Sequence, residues 1–301
     1  MKKIYLTILS GVALLLSPAT FAQLNAVACE PEWGALLQEL GGDKVSVYSA
    51  TTAFQDPHHI QARPSLIAHV RNADLLACTG AELEIGWLPI LLRQSGNNKI
   101  QPGQPGYFEA AGFVPKLELP TQLDRAAGDV HASGNPHIQT DPRNIALVAT
   151  ALAQRLAQVD AANAAYYQTR YRDFAARWQA ALQRWSKQAA PLKGMTIVAH
   201  HKSWAYLNHW LGLREVAELE PKPGVEPTAG HLQEVLDKLK SDPAKVIIRS
   251  AYEDNRASEW LAQRARIPAV LLPFTVGGSD QAKDLFGLFD DTVNRLLKVN
   301  Q

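Results

Sequence analysis

Sulfur is scarce in this 301-residue chain, which has only two cysteines and two methionines. A cysteine-rich disulfide scaffold or a thiolate zinc knuckle is therefore excluded. Neither a His-Glu-x-x-His helix nor a Cys-x-x-Cys pair occurs, so no single local motif makes a metal site. No block of basic residues stands out. Lysine and arginine (30) nearly balance aspartate and glutamate (29), which argues against nucleic acid as a partner. No repeat of solenoid length and no low-complexity tract is present. The one clearly apolar run, Ile4–Leu16, is too short for a membrane span of about 20 residues.

That run instead has the layout of an export signal. Lys2 and Lys3 precede it, and Pro18 and the small-residue ending Thr20-Phe21-Ala22 follow. We expect residues 1–22 to be removed and a periplasmic protein to begin at Gln23. Losing Lys2 and Lys3, with no acid before residue 23, takes the formal charge from +1 to −1. In an oxidising compartment the two cysteines, Cys29 and Cys78, invite a disulfide. Each closes a short apolar run, and adjacent parallel strands would bring them within bridging range. Buried thiols, or a lipidated Cys29, are the alternatives, the latter resting on a poor lipobox at Ala26-Val27-Ala28.

The remaining chain alternates strand and helix patterns twice. In the first half, Leu24–Cys29, Val45–Ser49 and Asp74–Thr79 read as strands, with helices over 33–40, 65–72 and 82–95. Prolines 102, 105, 115 and 120 make 97–134 largely loop, with an edge strand expected over 113–119. Asp141-Pro142 starts a helix, as an N-cap followed by proline in the first turn. Asp160 caps a further helix of about 30 residues, about 45 Å long, that ends before Pro191. Such a rod is longer than one small domain needs. A second strand–helix alternation fills 195–298. The expected fold is α/β: two lobes, each a parallel sheet flanked by helices, joined by one long rigid linking helix. The expected division is 23–159, 160–191 and 192–301.

Three stretches place a histidine where a strand or loop meets the next element: Asp56-Pro57-His58-His59, Asn135-Pro136-His137 and Ala199-His200-His201. In open α/β folds, ligands gather beyond the carboxyl ends of strands. His58 and His137 from one lobe and His201 from the other would meet in the cleft between them. Three imidazoles plus one further position is an established zinc arrangement. Any single histidine among nine is more often a surface or satisfied core residue. His69, His209 and His231, in helical patterns, are read that way. His59 and His200 flank the expected ligands, and His131 lies in the loop.

Taken as an ordered set, these motifs resemble the periplasmic zinc-uptake (ZnuA-like) solute receptors of ABC transporters, over nearly the whole mature chain. The set comprises Asp56-Pro57-His58 with Arg63-Pro64-Ser65, and Ala73-Asp74-Leu75 with Gly80 and Glu82. Asn135-Pro136-His137 with Asp141-Pro142 follows, then His201 before Ser203-Trp204-Ala205-Tyr206. The resemblance implies a non-enzymatic, monomeric receptor that delivers zinc to a membrane permease, with His58, His137 and His201 as metal ligands. Manganese-type members tend to carry a carboxylate where this chain has His201. Two departures stand out. The family's late Asp-Pro-Leu-Gly motif is replaced by Leu272-Pro273-Phe274-Thr275-Val276-Gly277-Gly278, leaving water or Asp280 as the fourth ligand. The acid- and histidine-rich loop is reduced to Asp129, His131 and their neighbours. A His₃-zinc hydrolase and a metal-stabilised adhesion protein are the alternatives.

Overall fold

The computed structural model describes residues 23–120 and 128–300, so the expected signal peptide lies outside the described residues. The first sheet is built from β1 (Leu24–Ala28), β2 (Val45–Ser49), β3 (Leu75–Cys78) and β4 (Tyr107–Glu109). The second is built from β5 (Thr196–Ala199), β6 (Arg214–Glu218), β7 (Val246–Arg249) and β8 (Ala269–Leu271). Their strand orders, β2-β1-β3-β4 and β6-β5-β7-β8, are the same permutation, and every pairing is parallel. The central strands are apolar on both faces, as a sheet covered by helices on either side requires.

The helices are α1 (Pro31–Gly41), α2 (Pro64–Arg71), α3 (Leu88–Ser95), α4 (Pro142–Val159), α5 (Ala164–Gln188), α6 (Ala205–Leu211), α7 (Ala229–Lys238), α8 (Asn255–Ala265) and α9 (Leu285–Val299). Asp141 caps α4 as expected, accepting the Arg143 N–H at 2.8 Å. Two expectations are corrected. The edge strand forms at Tyr107–Glu109, where the chain pairs with β3, and not over 113–119. There Pro115 and Pro120 remove ladder donors, and Glu118 takes a positive φ of 52°. The helix expected from residue 82 starts only at Leu88, because Ala81 and Glu82 sit at φ 50° and 68° and spend a turn outside helical space.

The long helix α5 has 25 residues, about 37 Å of rod, shortened by the separate turn at Ala161–Asn163. One stripe of it is apolar: Tyr167, Phe174, Trp178, Ala181 and Trp185 are all buried. Its first half is tied to the first lobe, through Tyr166 to Asp43 (2.6 Å) and Arg177 to Glu39 (2.7 Å). Its second half is tied to α9 through Trp185 Nε1 to Asp290 (2.6 Å), with Trp178 edge-on to Phe286 and Phe289. One continuous core joins the α5 stripe to both sheets. The fold therefore holds its two lobes against a common spine and resists large hinge motion.

Cys29 and Cys78 form a disulfide at the ends of the neighbouring strands β1 and β3, with Cα atoms 4.7 Å apart. The thiol and lipidation alternatives for Cys29 both fall, because its sulfur is bonded and fully buried.

Candidate metal centre

The His58 loop leaves β2 and folds back on itself through its own aspartate. Asp56 Oδ1 accepts both the His58 backbone N–H (3.0 Å) and its ring Nδ1 (2.7 Å). Trp87 Nε1 donates to the Pro57 carbonyl at 2.8 Å and pins the proline. Burial acts to raise the Asp56 carboxyl, but the hydrogen bond and charge of His58 outweigh it and hold Asp56 below the usual range.

His137 is set by Asn135, whose side-chain oxygen accepts the His137 N–H at 3.0 Å. Asn135 is itself held from the second lobe. Its amide donates to the Lys202 carbonyl (3.1 Å), and Tyr206 donates to its backbone oxygen (2.9 Å). The Asn-Pro-His motif is thus a lobe-to-lobe fastening as well as a histidine carrier. Only 1% of His137 is exposed, and burial, followed by the nearby histidines, pushes its imidazole well below the ordinary value, so it is neutral.

His201 follows β5, at the carboxyl end of a central strand. Its Nδ1 meets Glu220 Oε2 at 2.7 Å, and the Gly224 N–H binds the same oxygen at 2.8 Å. Burial alone would lower the His201 imidazole. The bond and charge of Glu220, with Glu253 and Asp56 behind it, more than offset this and raise it.

The three rings form a nearly equilateral triangle, with centroids 5.4, 5.6 and 5.8 Å apart. One ligand nitrogen of each lies within 4.8 Å of the others, and all three residues are buried. Asp56 and Glu220 occupy the Nδ1 atoms of His58 and His201, so those rings present Nε2 to the centre. His58 Nε2 and His137 Nδ1 are buried without any hydrogen-bond partner among the described residues. A buried ring nitrogen without a partner is costly, and convergent ones are what a cation would satisfy. Two carboxylates behind the rings also complement the charge of a divalent ion.

The other sequence candidates separate cleanly. His131 comes close, its ring stacked on His58 at 5.4 Å and facing a cavity of about 450 Å³ that reaches His137 and His201. Burial and the charge of His58 lower its imidazole to about 4. His59 is largely exposed, 3.9 Å from Asp129. His200 is buried, next in sequence to His201 but outside the cluster. His69 stacks on Tyr48, and His231 bonds the Glu218 carbonyl. Asp280 lies exposed on the surface and joins no ligand cluster among the described residues. Glu220 was not singled out from the sequence. Its signal was present: an acid beyond the carboxyl end of the strand beside the His201 strand, before Pro221.

Compared with known families, residues 27–299 match the model of the zinc-uptake complex component A, periplasmic. The chain belongs to that family. It is one of substrate-binding receptors of metal ABC transporters, not of enzymes, so the hydrolase alternative falls. Among curated relatives, a manganese ABC transporter substrate-binding lipoprotein, PsaA of Streptococcus pneumoniae, is 24% identical over 291 residues, covering 91% of this chain and 90% of its own. The metal ABC transporter substrate-binding lipoprotein SloC of Streptococcus mutans is 22% identical, covering 88% and 85%. Among solved structures, a crystal structure of ZnuA matches at TM-score 0.74 and 22% identity over 91% of this chain and 99% of that one. A cadmium-bound periplasmic metal-binding protein from Candidatus Liberibacter asiaticus matches at 0.75 and 14% identity, covering 93% and 100%. These likenesses support the two-lobed fold with its long helix.

Proposed function

We propose that the mature protein captures zinc outside the cytoplasmic membrane, as a monomer, and delivers it to the permease of an ABC transporter. The ligands in this reading are His58, His137 and His201. The observation that carries it is chemical: the convergent donor set is three imidazoles, with carboxylates placed behind two of them and none within the cluster. Imidazole nitrogen suits zinc, whereas manganese prefers oxygen. The manganese named for the streptococcal relatives is therefore not carried over. Copper and nickel also bind imidazole and would compete in vitro.

Residues 1–22 act in this reading as the cleaved export signal, 23–159 and 192–301 as the lobes, and 160–191 as the linking segment. Neutral imidazoles bind the ion, so affinity falls as acid protonates them. The α5 spine limits closure to small movements, and release requires the permease to disturb the loops at the cleft. The test is metal analysis and competition titration of the mature protein beside His58→Ala, His137→Ala and His201→Ala. One tightly bound zinc, lost or severely weakened in each variant, supports the reading. Unchanged zinc stoichiometry and affinity in all three, or preference for manganese over zinc, overturns it.

A further inference from the structure

Three histidines supply three donors, whereas zinc commonly takes four in tetrahedral array. No further His, Cys, Asp or Glu among the described residues joins that cluster as it stands. Asp280 is exposed, and Thr275, beyond β8, is committed to Glu32. The cavity of about 450 Å³ that reaches His137 and His201 is lined by three acids, each engaged elsewhere. Glu118 takes the Asn135 amide at 2.9 Å and Lys202 at 3.5 Å, Asp129 faces His59 at 3.9 Å, and Glu218 bonds Glu215. One further imidazole lines the same cavity, that of His131.

The His131 ring already stands at the spacing of the cluster. Its centroid is 5.4 Å from that of His58, equal to the His58–His137 edge, and 6.5 Å from that of His137. The Glu82 backbone lies within hydrogen-bonding reach of the ring. A partner there occupies one ring nitrogen and leaves the other for an ion, as Asp56 and Glu220 do for His58 and His201.

The segment 128–134 that carries this ring is fastened to both lobes. On the second lobe, the Asp129 N–H donates to the Pro223 carbonyl at 2.9 Å. On the first, the Ala132 N–H donates to Glu82 Oε2 at 2.5 Å. The second-lobe contact is close enough to need glycine on both sides. Gly128 (φ 87°) and Gly224 (φ 77°) are left-handed, and a Cβ on them would collide with the Pro223 carbonyl and the Asp129 carboxylate respectively. Gly224 also donates to Glu220, so the strap abuts the loop that supports His201. On the first lobe, Ala81 and Glu82 hold left-handed backbone that side chains rarely adopt, and such strain persists where it places a functional group.

We propose that His131 closes onto the captured ion as its fourth ligand, carried by a strap fastened to both lobes. This rests on the histidine site described above. Zinc holds its nitrogens at about 2.0–2.1 Å, so the three rings contract around it, and His131 starts from comparable spacing. A fourth imidazole also strengthens the preference for zinc over oxygen-seeking manganese. Opening either fastening withdraws one donor and uncovers the ion.

The test uses the mature protein loaded with zinc for affinity and with cobalt(II) for its visible spectrum, which reports coordination number and ligand change. His131→Ala should weaken zinc by at least what loss of a supporting partner costs, about 10–100-fold, and should shift the cobalt bands as water replaces the ring. The thermal midpoint of the metal-free protein should stay close to that of the parent, because the ring is only half-buried. His131→Gln, which keeps a polar side chain, should give the same losses and stands in if His131→Ala fails to fold. Gly128→Ala dislodges the strap without touching a ligand. It should weaken zinc in the parent but add little in the His131→Ala background. Parent-like affinity and spectrum in the folded His131 variants overturn the proposal and assign the fourth position to water. Equal effects of Gly128→Ala in both backgrounds overturn the part given to the strap. A parent protein that binds neither metal overturns the histidine site itself, a distinguishable result.

Discussion

Glu32 of α1 and Thr275, beyond β8, meet across the two lobes, the threonine hydroxyl donating to Glu32 Oε2 at 2.5 Å with both residues buried. Burial pushes the Glu32 carboxyl up to about 7, against the opposing pull of the Thr275 bond. In the segment after β8 this chain thus has a hydroxyl turned to a carboxyl of the other lobe. The turn acts as an interlobe fastening.

Thr275→Val keeps the shape and removes the donor, leaving the Glu32 carboxyl without its partner. An unsatisfied buried group costs about 1–3 kcal/mol, which for a protein of this size lowers the thermal midpoint by a few degrees. Thr275→Ser should retain most of the stability. Calorimetry at pH 7 on the metal-free protein checks both, and equal midpoints for the two variants would remove the fastening from the account.

Glu32 belongs to a larger buried group with Glu30 and Glu84. Glu30 Oε2 accepts the Thr79 hydroxyl at 2.9 Å, Glu84 Oε1 accepts the Thr79 N–H at 2.7 Å, and Trp33 Nε1 donates to the same threonine at 2.8 Å. Burial holds both Glu30 and Glu84 above the usual carboxylate range, and for Glu30 the Glu84 charge adds to it. The folded state therefore keeps protons that the unfolded chain releases near pH 4.5. The stability this contributes is complete below that pH and is lost as pH rises through about 7. Glu84→Gln imitates the protonated acid at every pH. Its unfolding free energy minus that of the parent should therefore grow between pH 5 and pH 8, by an amount on the order of 2 kcal/mol. A difference that stays flat across that window would show that Glu84 is ionised throughout.

Much of this was legible in the sequence, and the boundary is physical. Periodicity and caps gave the strand–helix alternation, because Asp141-Pro142 and the apolar runs act locally. The convergence of His58, His137 and His201 could be anticipated since each follows a strand or loop facing one cleft. Glu30, Glu84, Tyr252 and Glu253 carried no local pattern. A buried carboxyl or hydroxyl is defined by what the fold packs around it, not by its spacing. The misplaced edge strand has the same origin, because pairing with β3 and not local apolarity selected Tyr107–Glu109.

The disulfide closes a loop of 49 residues between β1 and β3. In the chain-entropy account such a bridge contributes about 4 kcal/mol through the unfolded state. Replacing both cysteines by serine should lower the thermal midpoint by roughly 10 degrees yet leave zinc stoichiometry unchanged, since the bridge is separate from the histidine triangle. Thiol labelling of the denatured, unreduced parent should find no free sulfhydryl. Loss of zinc binding in a folded double variant would tie the bridge to the site.

Glu220→Gln isolates the group behind His201. The amide can still accept from Nδ1–H, so the ring keeps its orientation, but the negative charge near the ion is gone. Two effects then oppose each other with pH. Without the carboxylate, His201 loses what raises it above its ordinary value and is neutral at lower pH, which favours binding in acid. At higher pH, where the ring is neutral in both proteins, removing the carboxylate that makes it basic and compensates the cation weakens zinc by about 10–100-fold. The affinity curve of the variant should therefore be lower at pH 7.5 and flatter toward pH 5.5 than that of the parent. Competition titration against a chromophoric chelator at both pH values measures it. A variant whose affinity runs parallel to that of the parent would mean that Glu220 acts only as a strut.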